Sequence, residues 1–465
     1  MCPSRLARSR GHGRPPCQNE GVTTPAARAD SQLSGWGRAP VVPGYQVRSE
    51  DLLTITENVP LTRGLGRAYG DAALPAPGDI CIAGSTLANR ILSFNAGTGD
   101  ITAEAGLSLD ELYRALLPKG WFTPVTPGTR FVTLGGMVAA DVHGGNHHVD
   151  GCFGRHVHAL RMRVADGRVV TCSRTEHSDL FFATIGGMGL TGHILDVSFR
   201  MVRVPSPWVF QETHRVANID AFMDALTLSA SRWPMTKGWI DCLSKGPSMG
   251  RGVLFRGRWA EPGESAGKGF PTLHAPIPVP FTFPHGVIGV HFDRAFNAGY
   301  YRLPRPHSSV VHPKEFFYPL DGVGDWHRIY GPRGFTQYQC VLPASGGHDA
   351  ARRFLNVATR GGGASFLCVI KDCGPEGEGL LSFPKAGISI AIDLAMRDDT
   401  QALVDQMNEC VIAEGGRIYL AKDALTRPEH FRAMEPRLDT FLQVRRAWDP
   451  EGRIRSAQSV RLFGW

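Results

Sequence analysis

Between Pro127 and His148 the chain reads Pro-Gly-Thr-Arg-Phe-Val-Thr-Leu-Gly-Gly-Met-Val-Ala-Ala-Asp-Val-His-Gly-Gly-Asn-His-His. This stretch sets bare backbone beside titratable side chains. Gly128, Gly135, Gly136, Gly144 and Gly145 let peptide N–H groups approach a ligand closely. His143, His147 and His148 stand among them as hydrogen-bonding partners. A second glycine loop precedes it, Arg63-Gly64-Leu65-Gly66-Arg67-Ala68-Tyr69-Gly70-Asp71, and a third follows, Gly186-Gly187-Met188-Gly189-Leu190-Thr191-Gly192. A phosphate group needs N–H donors and positive charge, and residues 63–71 offer both. Three such loops in the first half point to one large ligand carrying a pyrophosphate. The spacing is neither the dinucleotide fingerprint G-x-G-x-x-G nor a P-loop, since no Gly-Lys-Ser/Thr follows. His147 and His148 lack a third partner at metal-ligand spacing, so loop hydrogen bonding is the expectation for them.

The elements that must hold these loops are legible in part. Ile101–Ala105 alternates as a strand. Ser108-Leu109-Asp110-Glu111 is a capping box that opens a helix through Leu117, with Leu109, Leu112, Leu116 and Leu117 on one face. Val157–Val164 and Arg168–Cys172 read as two strands joined at the Asp166-Gly167 turn. Ser178–Ile185 reads as a short helix capped by Ser178, and His193–Val204 as a long strand. Pro205 and Pro207 mark a boundary. Beyond it, strands are expected at Thr336–Leu342, Ser365–Lys371, Ile388–Leu394 and Arg417–Ala421, with a helix at Thr400–Ala413 ended by Gly415-Gly416. Residues 268–312, rich in proline and aromatic side chains, read as an irregular, mobile loop over a cavity. The segment from Arg427 onward reads as helical and basic, folding back on the first part.

Bulk properties narrow the class. The 465 residues suffice for two or three domains, and 42% apolar with 20% charged residues is ordinary for a globular protein. No apolar run of about 18 residues suggests a membrane span. The formal charge of +7 is weak evidence for nucleic acid, and a basic face toward anionic lipid or a phosphorylated substrate fits it equally well. Ten scattered cysteines form no C-x-x-C pair and read as small buried hydrophobes. Residues 1–32, Arg- and Gly/Pro-rich, lack a secretory apolar core and read as a disordered extension or an incorrectly assigned start.

Several further segments complete the pattern: Leu33-Ser34-Gly35-Trp36-Gly37-Arg38, Tyr330-Gly331-Pro332, Gln337-Tyr338-Gln339, Leu381-Ser382-Phe383-Pro384 and Ala421-Lys422-Asp423. The glycine loops resemble the FAD domain of vanillyl-alcohol-oxidase (PCMH) type flavoproteins. With the later segments, the chain resembles the decaprenylphosphoryl-ribose 2'-oxidase family from about residue 33 to the end. The resemblance implies an α+β fold, with an FAD-binding domain over 33–204 and a substrate domain over 205–414 built on an antiparallel sheet with flanking helices. It implies that 415–465 returns to the FAD domain.

It also implies roles. FAD, held non-covalently, would be lined by Arg63, Gly64, Leu65, Gly66, Arg67, Ala68, Tyr69, Gly70, Asp71, Gly128, Thr129, Thr133, Leu134, Gly135, Gly136, Ala140, Asp141, Val142, His143, Ile194 and Tyr419. Lys422, Gln339, His143 and Tyr69 would serve the chemistry. Trp239, Phe317, Gln337, Gln339, Lys371, Ser389, Ala391 and Lys422 would face substrate, and no metal is implied. Members from mycobacteria carry Asn and Cys where Ser389 and Ala391 stand here, and Tyr where Phe317 stands. The implied activity is oxidation of a polyprenyl-phosphate pentose at its 2'-hydroxyl, beside a nicotinamide-dependent keto-reductase. The location would be peripheral, in the cytoplasm or at a cell-envelope membrane face. A soluble aldonolactone or alditol oxidase is the alternative, and a flavin-free carbohydrate- or nucleic-acid-binding protein the third reading.

Overall fold

The computed structural model describes residues 32–272, 274–303, 306–363 and 365–465. Of the amino-terminal extension expected over 1–32, residues 1–31 fall outside that range, and Gln32 is not disordered: it opens a short strand, Gln32–Ser34, paired antiparallel with Val41–Pro43. After this two-stranded antiparallel pair comes a three-stranded parallel sheet, with β1 (Tyr45–Arg48), β2 (Thr62–Arg63) and β3 (Cys81–Gly84) in the order β1-β3-β2. Arg63 closes β2, so the first glycine loop leaves directly from a strand end.

A five-stranded antiparallel sheet follows. Its strands are β4 (Ile91–Phe94), β5 (Asp100–Glu104), β6 (Val157–Arg163), β7 (Val169–Ser173) and β8 (His193–Arg200), ordered β7-β6-β8-β5-β4. Helix α1 (Leu109–Leu116) carries the capping box at both ends of its reciprocal bond: Ser108 Oγ accepts from Glu111 N at 3.2 Å, and Glu111 Oε2 accepts from Ser108 N at 2.9 Å. Leu117 falls in the 3-10 turn that follows rather than on the helix. Thr133 caps α2 (Leu134–Ala139) through Gly136 N. Helix α3 (Ser178–Thr184) departs from expectation at its start: Ser178 lies inside it, and the cap is His177 in a left-handed conformation, φ +44°. The strand expected over 193–204 breaks at Met201, with only Val202–Arg203 resuming it.

The second half is built on one eight-stranded antiparallel sheet. Its members are β9 (Val209–Val216), β10 (Met235–Ile240), β11 (Gly252–Trp259), β12 (His307–Val311), β13 (Phe335–Pro343), β14 (Cys368–Cys373), β15 (Gly387–Ala395) and β16 (Arg417–Ile418). They run in the order β12-β9-β11-β10-β14-β15-β13-β16. Helices α4 (Ile219–Ala230), α5 (Val290–Arg302), α6 (Pro313–Phe317), α7 (Gly347–Arg360) and α8 (Thr400–Ala413) accompany it. Side chains alternate between the faces of a strand. Leu254, Ile240, Ile370, Ile390, Ile392, Tyr338 and Cys340 therefore turn to one face, where they pack with Phe222 of α4, Phe354 of α7 and Met407 of α8. The intervening residues turn the other way.

The described residues between 268 and 312 hold more regular structure than the proline content suggested. They contain α5 and β12, and β12 pairs with β9 over Val209–Thr213. Prolines stand before and after 290–302 in the sequence, at Pro284 and Pro304, but not within it, leaving that span free to coil. Helix α5 has inverted polarity: Asp293 and Asn297 are fully buried, whereas Phe292 and Phe296 are exposed.

After β16 the chain forms α9 (Pro428–Met434), α10 (Leu438–Trp448) and α11 (Ala457–Phe463). Trp448 Nε1 donates to Asp179 at 2.9 Å, and the Arg455 guanidinium meets Asp79 at 2.9 and 3.0 Å. Arg461 donates to both oxygens of Asp71, at 2.7 and 2.8 Å, and to Asp423 at 2.8 Å. This buried clamp joins the first glycine loop to the turn after β16. Arg461→Met strands two buried carboxylates, so urea titration will show unfolding free energy falling by about 3 kcal/mol. Arg455→Met, at a more open pair, will cost under about 1 kcal/mol.

Candidate active site

A cavity of about 1030 Å³ opens between the glycine loops and the non-helical face of the large sheet. The loops touch one another at its wall. A Cβ on Gly64 would lie 2.3 Å from Thr133 Oγ1, so only glycine allows this approach. The backbone N–H groups of Leu65, Gly66, Arg67 and Ala68 find no acceptor among the described residues, though all four line the cavity. Successive unpaired N–H groups form a concavity suited to an anion. The Arg67 guanidinium lies 4.2 Å above the Trp36 ring, at the same wall.

The sheet contributes the opposite wall. Gln337 and Gln339 of β13 face it while Tyr338, between them, turns back to donate to Asn408 of α8 at 2.9 Å. Ala391 stands opposite Gln339, then Val369, then Trp239 on successive strands, and all line the cavity. Trp239 is fixed by donating Nε1–H to Phe366 O at 2.8 Å, with Tyr300 of α5 edge-on to it. Gln339 Nε2 lies 2.9 Å from His143 Nε2 and 3.1 Å from Ser389 Oγ. With the amide so placed, it donates to Nε2 and the imidazole proton resides on Nδ1. Burial, then the Lys371 charge, drives His143 well below the usual histidine range, so the ring is neutral. Its Nδ1 is buried without a hydrogen-bond partner.

Lys422 sits in a one-turn 3-10 helix, Leu420–Lys422, because β16 ends at Ile418 rather than running to Ala421. Its ammonium rests 3.8 Å from the Tyr69 ring centre, and Tyr69 N donates to Ala421 O at 2.9 Å. The turn and the first glycine loop thus hold each other. Burial lowers the Lys422 pKa, and the Asp393 charge partly restores it. Asp393, one alternation beyond Ala391, accepts from Gln337 and from Tyr330 OH, and burial raises it far above the carboxylate range.

Most residues singled out by the sequence meet at this cavity. Gly64, Leu65, Gly66, Arg67, Ala68, Tyr69, Gly128, Thr129, Thr133, Gly135, Gly136, Ala140, Val142, His143, Ile194 and Tyr419 line it. So do Trp239, Phe317, Gln337, Gln339, Lys371, Ala391 and Lys422. Six others stand behind the wall for separate reasons. Arg63 donates to Ser34 O at 2.7 Å and Ala73 O at 3.0 Å, bracing the loop. Gly70 is packed so closely that a Cβ would come within 2.0 Å of Asp423 O. Asp71 belongs to the Arg461 clamp, and Leu134 to the hydrophobic core. Asp141 accepts from Gly154 N at 2.8 Å and from Ser382, and burial raises it to about 6. Ser389 orients Gln339 instead of facing the cavity. His147 bonds Gly374 N and Cys152, and His148 bonds Trp233 O.

Sequence reasoning passed over two groups. Asp393 and Lys237 each lie two residues from a residue it had chosen, Ala391 and Trp239, and so on the same strand face. Lys237 lines the cavity with its ammonium 4.6 Å from the Phe316 ring centre.

A family model described as "FAD binding domain" matches residues 56–173. Decaprenylphosphoryl-beta-D-ribose oxidase of Mycolicibacterium smegmatis is 33% identical over 464 residues, 95% of this chain and 99% of that protein. An uncharacterized protein of Streptomyces coelicolor is 32% identical over 375 residues, 77% of this chain and 100% of its own length. The solved structure of Physcomitrella patens BBE-like 1 shares the fold, with TM-score 0.64 at 16% identity over 90% of this chain and 91% of that one. The residues present fit FAD. The unpaired N–H groups of 65–68 suit its pyrophosphate, and Gly128 and Gly189 are cradle positions where a Cβ would meet open space. The orphaned His143 Nδ1–H is available to a polar edge.

The electrostatics make one prediction. Asp393 holds the Lys422 pKa up against burial and the Lys371 charge. Asp393→Asn removes that support, so Lys422 will lose its proton at lower pH. Labelling of Lys422 by an amine-selective reagent, followed by mass spectrometry across pH, will show the midpoint move acidward. An unmoved midpoint would refute the coupling.

Proposed function

Because this chain belongs to the decaprenylphosphoryl-β-D-ribose oxidase family of FAD-dependent oxidoreductases, we propose that it oxidises the 2'-hydroxyl of a polyprenyl-phosphate pentose to a keto sugar. This would be the first half of an epimerisation toward arabinose, with a nicotinamide-dependent keto-reductase completing it. In this reading residues 33–204 hold the cofactor and 205–414 the substrate, while 415–465 returns across the cofactor side.

The observation that carries the reading is the meeting of Lys422, Gln339 and Gln337 with the glycine loops around one cavity. FAD supplies the hydride acceptor when bound. Lys422, its pKa lowered by burial, holds the reacting oxygen or takes its proton. Gln339 and Gln337 are themselves fixed by Ser389 and Asp393, so their remaining amide valences are aimed rather than free-swinging. They bond the sugar hydroxyls. Tyr69 steadies the Lys422 ammonium, and neutral His143 presents a hydrogen-bond donor to the cofactor. Trp239 and Phe317 form apolar walls. The cofactor is non-covalent in this reading, with His143, held through Nε2 by Gln339, serving as a hydrogen-bonding neighbour.

The segment over the cavity supports a lipid-linked sugar. Phe270, Ile277, Phe281, Phe292 and Leu303 are exposed there, and no helix of the described residues is long and apolar enough to cross a membrane. Peripheral contact with a lipid surface is the location we assign.

Anaerobic bleaching of the purified yellow protein tests the substrate. Polyprenyl-phosphate ribose will bleach it, whereas free aldonolactones and alditols will not; bleaching by the free compounds alone would sink the assignment. Lys422→Ala will keep its FAD and lose about 10²–10⁴-fold in turnover, the range for a group that moves or holds a proton. Acid precipitation will leave a colourless pellet and a yellow supernatant.

A further inference from the structure

Lys237 and Lys371 are neighbours by register. Strands β10 and β14 pair antiparallel with Gly238 opposite Ile370 and Trp239 opposite Val369. Continuing by one residue sets Lys237 opposite Lys371, with both side chains on the cavity face. Like charges directly opposed across a ladder are destabilising. The usual remedy is an interleaved carboxylate, and the row of described residues that holds them contains none. Neither ammonium makes a hydrogen bond or an ion pair among the described residues, and the flanking residues in the same row are Phe255 and Ser389. The Ser389 hydroxyl is already committed to Gln339. Lys237 rests instead over the rings of Phe316, at 4.6 Å, and Phe255, at 5.6 Å. Aromatic faces attract a cation but do not neutralise it.

The two lysines lead away from the chemistry. Lys371 is near enough for its charge to lower both His143 and Lys422, whereas Lys237 lies on β10, three strands from Gln339 on β13, about 15 Å across the sheet at the backbone. A ligand that reaches both regions carries its reacting carbon at one end and its negative charge a short distance away. Burial, with the Lys371 charge, pushes Lys237 down to about 7, as expected for a cation whose counter-charge is not part of the protein.

We propose that Lys237 and Lys371 form a two-lysine seat for the phosphate group of the substrate, and that Lys237 is the residue that favours phosphorylated over uncharged ligands. The identification of that phosphate with a polyprenyl-linked sugar rests on the function proposed above; the anion seat itself rests on the paired, uncompensated lysines.

Calorimetric titration of the holoprotein with farnesyl phosphate, inorganic phosphate and farnesol tests the seat. Farnesyl phosphate will bind the parent, and Lys237→Met and Lys371→Met will each weaken it about tenfold or more, the usual loss for a hydrogen bond to a charged group. Farnesol binding will not differ among the proteins. Lys237→Arg will keep most of the affinity and guards against misfolding of the methionine variant. Farnesyl phosphate bound far more tightly than inorganic phosphate marks a lipid-linked source; comparable affinities mark a soluble phosphate ester. Methionine variants that bind farnesyl phosphate like the parent, or that lose farnesol equally, overturn the proposal. If the lipid sugar fails to bleach the flavin while lysine-dependent anion binding persists, the seat stands and the assigned reaction falls.

Discussion

The strict alternation of side chains along the eight-stranded sheet governs this molecule. One face must satisfy α4, α7 and α8, and it does so largely with Ile, Leu and Cys, the Tyr338 hydroxyl there being satisfied internally by Asn408. The other face is thereby freed for polar and charged residues that would be intolerable in a core. Gln337, Gln339, Lys371, Lys237 and Asp393 are not scattered functional residues. They are the alternate positions of β13, β14, β10 and β15, brought into rows by antiparallel register. A one-residue slip in β10 or β14 would bury a lysine under the helices and turn an isoleucine into the cavity.

That alternation also explains what could be read from the sequence. Gln337-Tyr338-Gln339 announces its two faces within three residues, and the capping box at Ser108 is complete in four. The helix at Thr400–Ala413 is marked by its periodicity and the glycines after it. Local signals of this kind need no partner. The place of Lys237 at the cavity, and of Asp393 behind Gln337, depends on which strands lie beside β10 and β15, and nothing near them in the chain reveals that. The same holds for Asp71: beside a glycine loop it resembles a ligand contact, yet Arg461, distant in sequence, claims it. The helix at 290–302 was hidden by composition, since its buried Asp293 and Asn297 and exposed phenylalanines invert the pattern by which a surface helix is recognised.

Charge distribution separates the two ends of the cavity. At the loop end, donors are backbone N–H groups and Arg67, which cannot be discharged at ordinary pH. At the sheet end, the cations are lysines whose burial leaves them close to losing a proton. The first arrangement suits permanent retention of an anion. The second suits a visitor, because an ammonium that is costly to keep charged gains most when an anion arrives and gains nothing once it departs.

The walls of the cavity draw on residues from Trp36 to Lys422, so nearly the whole described fold must be assembled before a cofactor can be gripped. Anything that binds only the assembled state stabilises it by an amount that grows with the logarithm of its free concentration above the dissociation constant. FAD therefore acts as a fastener for the whole chain: the lower its free concentration, the larger the share of chains left open to proteases.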